Sequence, residues 1–160
     1  MKKGFTIVEL LIYMGLLSIL LVVLGGLFGS VLETQLETQS VSVIDQDNRF
    51  IDARLVYDVH RATDVITPAG AGQTSSFLSL NIGGSTYTYS VSNGQLQLTI
   101  AGNTQAVSSY GTQVSDFLVT RLGNPSGKPS LRFNYTLTGS ITSLDQEPQV
   151  TYGTATATLR

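Results

Sequence analysis

Glu9 stands near the start of GFTIVELLIYMGLLSILLVVLGGLF, a stretch that is otherwise uncharged and apolar. A carboxylate deep in hydrocarbon costs about 2.5–3.5 kcal/mol even on lenient insertion scales. A passive anchor would be better served by leucine, so an acid here calls for a compensating partner. Other candidates for chemistry are few. His60, the sole histidine, has Asp58 two residues before it and Asp64 four residues after. Asp64 could share its helical face, but a triad also needs a nucleophile and an ordered base, and no G-x-S-x-G is present. His60 therefore reads as polar helix surface. AGAGQTSS, residues 69–76, is glycine-rich but lacks the lysine of a phosphate-cradling loop and a strand before it. It reads as a plain loop. Asn134-Tyr135-Thr136 matches a glycosylation sequon, yet its alternating surroundings place it inside a strand. Asp145 and Glu147 alone make a poor calcium site. Tyr87, Tyr89 and Tyr135 fit sheet faces better than a ligand-stacking platform. No catalytic residue, metal site or cofactor is expected.

The chain of 160 residues is about one domain's worth. Charged residues make up 12% of it, half the usual quarter or so, and Gly, Ser and Thr take their place. That mix suits a β-rich exported surface. Cysteine is absent, which excludes disulfide frameworks, thiolate nucleophiles, Cys-ligated zinc and iron–sulfur clusters. The formal net charge is −2, and no basic cluster exists beyond Lys2-Lys3. Direct high-affinity binding of nucleic acid is not expected.

The elements that must position Glu9 follow from hydropathy. Residues 10–32 carry no charge. As a helix they would span about 34 Å, which matches a bilayer core of about 30 Å. A cleaved secretory signal has a shorter apolar core, about 7–15 residues, and a small-residue cleavage site after it. Lys2 and Lys3 precede the run, while Glu33 and Glu37 follow it. The positive-inside bias places the N-terminus in the cytoplasm and the remainder outside.

The stretch Lys3-Gly4-Phe5-Thr6-Ile7-Val8-Glu9-Leu10-Leu11 resembles the class III signal of type IV pilins and type II secretion pseudopilins. The resemblance covers roughly the first 30 residues. It implies that Gly4 ends a leader cut by a membrane-embedded prepilin peptidase, and that Phe5 becomes an N-methylated terminus. It also implies that Glu9 is the assembly carboxylate, paired with the cationic amine of a neighbouring subunit's Phe5. The spacing suits that role. Glu9 lies one helical turn after Phe5, and a carboxylate is favoured in a first turn. Leaving either charge unpaired in a low-dielectric setting would be costly, so the pair would set register between subunits. Cleavage before the apolar run would leave the anchor attached to the mature subunit.

Gly15, Gly25 and Gly26 interrupt the apolar helix, at about 1 kcal/mol each relative to alanine. Two readings stand side by side: a helix soft enough to bend or partly melt in a filament, or close helix–helix packing. The proline that many major pilins carry near this point is absent.

Beyond Leu32 the helical spacing persists. Leu36, Val43, Ile44, Phe50, Ile51, Leu55, Val59, Ala62, Val65 and Ile66 form one apolar stripe. Asp45/Arg49 and Arg54/Asp58 add opposed charges at i,i+4. Pro68 and Gly70 end the pattern, which predicts a helix from about Phe5 to Ile66. From Thr74 onward the period is two. Asn93-Gly94 predicts a tight hairpin between TYTYSVS and QLQLTI. VSDFLVTRL, LRFNYTLTG and VTYGTATATLR predict further strands, with NPSGKPS and QEPQ as turns.

About six strands in meander order would form one antiparallel sheet on the helix stripe. The expected class is α+β and pilin-like: leader 1–4, membrane-spanning helix 5–32, amphipathic helix 33–66, and β head 67–160. The order of elements also resembles J-type minor pseudopilins and related minor pilins. The family resemblance implies a non-enzymatic filament subunit in the inner membrane. Its partners would be the prepilin peptidase, other pilin or pseudopilin subunits, the inner-membrane assembly platform and the lipid bilayer. The alternative reading is a membrane-anchored extracytoplasmic binding or adhesion module that does not polymerise. A third reading, a tethered exported hydrolase, predicts an activity that falls with a change at His60 or at a serine, and none is expected.

Overall fold

The computed structural model describes residues 6–123, 127–140 and 148–160. Helix α1 runs unbroken over Ile7–Arg61. Thr6 caps it in an extended conformation, and its hydroxyl accepts the Glu9 N–H at 3.3 Å. One of the donors that a helix start leaves unpaired is satisfied in this way. From Thr6 to Leu36 every side chain is exposed, Ile7 at 80% and Val22 at 76%. A helix apolar all round with no protein against it suits a lipid surround, and α1 is long and apolar enough to cross a membrane.

The distal part of α1 is one-sided. Ile44, Ile51, Leu55, Val59 and Ala62 are buried, at the spacing the stripe predicted. Phe50 and Leu36 depart from the expectation and are exposed. The helix also stops at Arg61, short of Ile66. Ala62 turns extended, and strand β1 (Asp64–Thr67) begins two residues later. Val65 then faces Leu80 across a strand pair. Ala62, Val65 and Ile66 fit a helical stripe by spacing, but ladder bonds to a neighbouring strand take over before Pro68.

Two antiparallel sheets follow in place of the single sheet expected. The first has the order β1, β3 (Phe77–Ile82), β4 (Ser85–Ser92), β5 (Gln95–Ile100), β6 (Asn103–Ala106). The second has the order β2 (Thr74–Ser75), β7 (Thr112–Leu122), β8 (Ser130–Gly139), β9 (Val150–Thr158). The chain passes from the second sheet to the first at Ser76, between β2 and β3. The β4–β5 hairpin turns on Asn93 and Gly94 at φ 51° and 72°, as the dipeptide predicted. These left-handed values are what a two-residue hairpin turn demands. Residues 124–126 of the NPSGKPS loop and 146–147 of QEPQ lie outside the described residues.

One core joins the layers. Leu78, Leu80, Tyr89, Leu96 and Leu98 come from the first sheet, and Val119, Leu131, Phe133 and Leu137 from the second. The α1 stripe joins the same core. The helix packs mainly on β8 and β9. Gly153, Ala155 and Ala157 line the inner side of β9. A Cβ at Gly153 would strike the Tyr135 ring, so the glycine leaves room for that ring between β8 and β9. The architecture is α+β and pilin-like: one long N-terminal helix packed against antiparallel sheets.

Candidate assembly site

The exposed N-terminal part of α1 and its junction with the head carry the groups that could do work. Gly4 and Phe5 lie outside the described residues. Glu9 sits in the first turn of α1. Its Oε1 accepts the Tyr13 hydroxyl at 3.5 Å, one turn along. Neither contact of Glu9 was anticipated. Thr6-x-x-Glu9 has the spacing of a capping box, which was the available signal for the Thr6 contact. Tyr13 follows from i,i+4 spacing alone. Around Glu9 the helix shows apolar side chains to its surroundings, so an ionised carboxylate there lacks a cationic partner within the described chain. The arrangement can accept one from outside.

Gly15, Gly25 and Gly26 leave the helix unbroken, and a Cβ at any of them would meet nothing within 4 Å. Among the described residues they pack against nothing. They mark three places where another helix could come close.

At the other end of α1, three aspartates tie the helix to the β head. Asp47 Oδ2 accepts the Ser109 hydroxyl at 2.7 Å and the Ser109 N–H at 3.1 Å. Asp52 Oδ1 lies 2.6 Å from the Tyr135 hydroxyl, with Asn48 Oδ1 at 2.8 Å from the same oxygen. Asp58, fully buried, accepts the Tyr89 hydroxyl on Oδ2 and Arg54 Nε on the same oxygen at 3.1 Å. Its Oδ1 has no hydrogen-bond partner among the described residues, and Arg61 Nη1 stands 3.9 Å away. Burial first, and the carboxylate bond second, hold the phenols of Tyr89 and Tyr135 well above their usual value of 10.0. Both tyrosines are therefore neutral donors at any physiological pH.

The expected Arg54/Asp58 pair forms, whereas Asp45 and Arg49 make no ion pair among the described residues. His60 lies half-buried in the last turn of α1 and binds no carboxylate among the described residues. Asn134 sits within β8, and its Oδ1 accepts the Thr154 hydroxyl across the ladder at 3.1 Å. Residues 69–76 are mostly loop, but β1 precedes them and Thr74–Ser75 forms β2, contrary to the reading of a loop with no strand before it. Asp145 and Glu147 lie outside the described residues.

One long apolar helix with an acid in its first turn, packed at its far end on antiparallel sheets, is a pilin-like arrangement. Residues 1–25 match the family model described as the prokaryotic N-terminal methylation motif. The match covers residues 1–25 and none of the β head. Comparison with curated proteins and with solved structures gives no match.

Proposed function

We propose that the chain is a structural subunit, a minor pilin or minor pseudopilin of the J type, in a type IV filament or type II secretion pseudopilus. The carrying observation is the methylation motif over residues 1–25, continuous with a helix that leaves its apolar surface uncovered. On this reading the chain enters the inner membrane with its N-terminus in the cytoplasm. Prepilin peptidase cuts between Gly4 and Phe5, and Phe5 is N-methylated. The mature subunit then waits in the bilayer until the assembly platform draws it in beside other subunits. Glu9 pairs with the terminal ammonium of a neighbour, and the exposed apolar helix supplies cohesion. Gly15, Gly25 and Gly26 are the places where α1 bends or admits a neighbour. The role is structural, with no reaction catalysed.

Mass analysis of the chain purified from its own membrane tests the reading. The expected polypeptide begins at Phe5 and carries one extra methyl group on that residue. A native chain that retains Met1 overturns it. A chain that is processed but fully competent with Glu9→Ala is the non-polymerising anchored module instead.

A further inference from the structure

Among the described residues, β9 is the outer strand of the second sheet and is bonded only to β8. Leu159 N–H donates to the Pro129 carbonyl, and Gly139 N–H donates to the Gln149 carbonyl. Residues of an antiparallel ladder alternate between bonded and non-bonded pairs, and the β8–β9 register is unbroken. The odd-numbered residues of β9 therefore face β8 with their N–H and C=O. Val150, Tyr152, Thr154, Thr156 and Thr158 turn theirs outward. The side chains of these five are also exposed, Tyr152 at 79%. Long edges are ordinarily guarded by charge, proline or a bulge. VTYGTATAT has no charge, no proline and no break in register.

We propose that the β9 edge docks an extended, uncharged strand of a different polypeptide, added to the second sheet by backbone hydrogen bonds. The edge demands backbone donors and acceptors in extended form, which only a strand provides along its length. Val150 and Tyr152 favour β-branched and aromatic residues opposite them. A second copy paired antiparallel fits poorly. Antiparallel self-pairing turns on a two-fold axis normal to the sheet, and α1 lies on the sheet face, so the two helices would point in opposite directions. Two such chains could not share one membrane orientation. The other sheet edges among the described residues, β1, β6 and β2, have four, four and two residues, against nine in β9. This inference rests on the anchored-subunit reading for the shared orientation alone.

Amide hydrogen exchange on the full chain tests it, in detergent micelles and in the native membrane. In micelles the amides of residues 152, 154, 156 and 158 should exchange fast while those of 153, 155 and 157 are slow. In the membrane the even set should slow by more than about tenfold, and Thr156→Pro should abolish that gain while the odd set stays slow. An even set equally fast in both settings overturns the proposal. Because the chain has no cysteine, Thr156→Cys gives a unique thiol for short bifunctional cross-linking in the same membranes. An adduct with a different protein, lost when Tyr152→Pro is added, supports the proposal together with the exchange result. An adduct between two copies overturns it. The N-terminal mass read from the same sample separates failure of this interface from failure of the filament reading.

Discussion

The Tyr89 hydroxyl donates to the fully buried carboxylate of Asp58, joining the last turns of α1 to the middle of the first sheet. Tyr89→Phe leaves Asp58 with Arg54 alone on Oδ2. The head should lose about 1–3 kcal/mol, read by denaturant unfolding of the full chain in micelles with near-ultraviolet circular dichroism. Asp58→Ala removes the acceptor for two groups at once and should cost more, about 3–5 kcal/mol.

Alkaline pH should unfold the head through the same two tyrosines. Both phenols have a raised pKa in the folded chain, against 10.0 when free. The stability they contribute is complete below pH 10, because neither state is ionised there. It falls as pH rises past 10, where the unfolded chain releases protons that the folded chain retains. A chain with Tyr89→Phe and Tyr135→Phe together should show a smaller stability at neutral pH but a flatter decline above pH 10. An unchanged slope in a pH series of unfolding curves would contradict this.

Gly153 makes room for Tyr135. A Cβ on Gly153 would stand 2.1 Å from Tyr135 Cε2. Gly153→Ala must push the ring aside and break its 2.6 Å contact with Asp52. The expected cost is about 1–3 kcal/mol for overpacking, with a further loss for the hydrogen bond. Adding Tyr135→Ala relieves the clash, so the double variant should cost less than the sum of the singles. Strict additivity would show that the two do not meet.

At the opposite end of the helix, Glu9→Gln should leave membrane insertion intact and reduce incorporation into filaments by roughly a hundredfold. That is the equivalent of about 3 kcal/mol for stranding a partner's charge. Tyr13→Phe should reduce incorporation less than Glu9→Gln, since it leaves the Glu9 carboxylate in place. The measurement is the ratio of chain in sheared filaments to chain in the membrane.

Much of this fold is legible in the residues. The run after Glu9 and the Asn93-Gly94 turn act locally, so hydropathy and backbone preference decide them without help from distant parts. The helix end is different. Val65 and Ile66 suit either period, and the choice falls to Leu80 across the ladder, which no local pattern contains. β6 has the sequence NTQA and is exposed throughout, so it lacks apolar alternation. Its one signal is Ala101-Gly102, which turns at φ 49° and 88°. The division into two sheets depends on where β2 pairs, two residues bound to Thr120 and Val119 far along the chain. Glu9 stood out by its charge, while Thr6 and Tyr13, which touch it, are ordinary residue types for a helix start.

Asp47 and Asp58 hold one flank of the buried helical stripe, and Asn48 and Asp52 hold the other. Anchored on both sides, the spine cannot roll beneath the domain it carries. On the filament reading proposed above, a pull on the apolar end of α1 would therefore transmit torque as well as traction. The globular part would turn in step with its stem, like a key with its shaft.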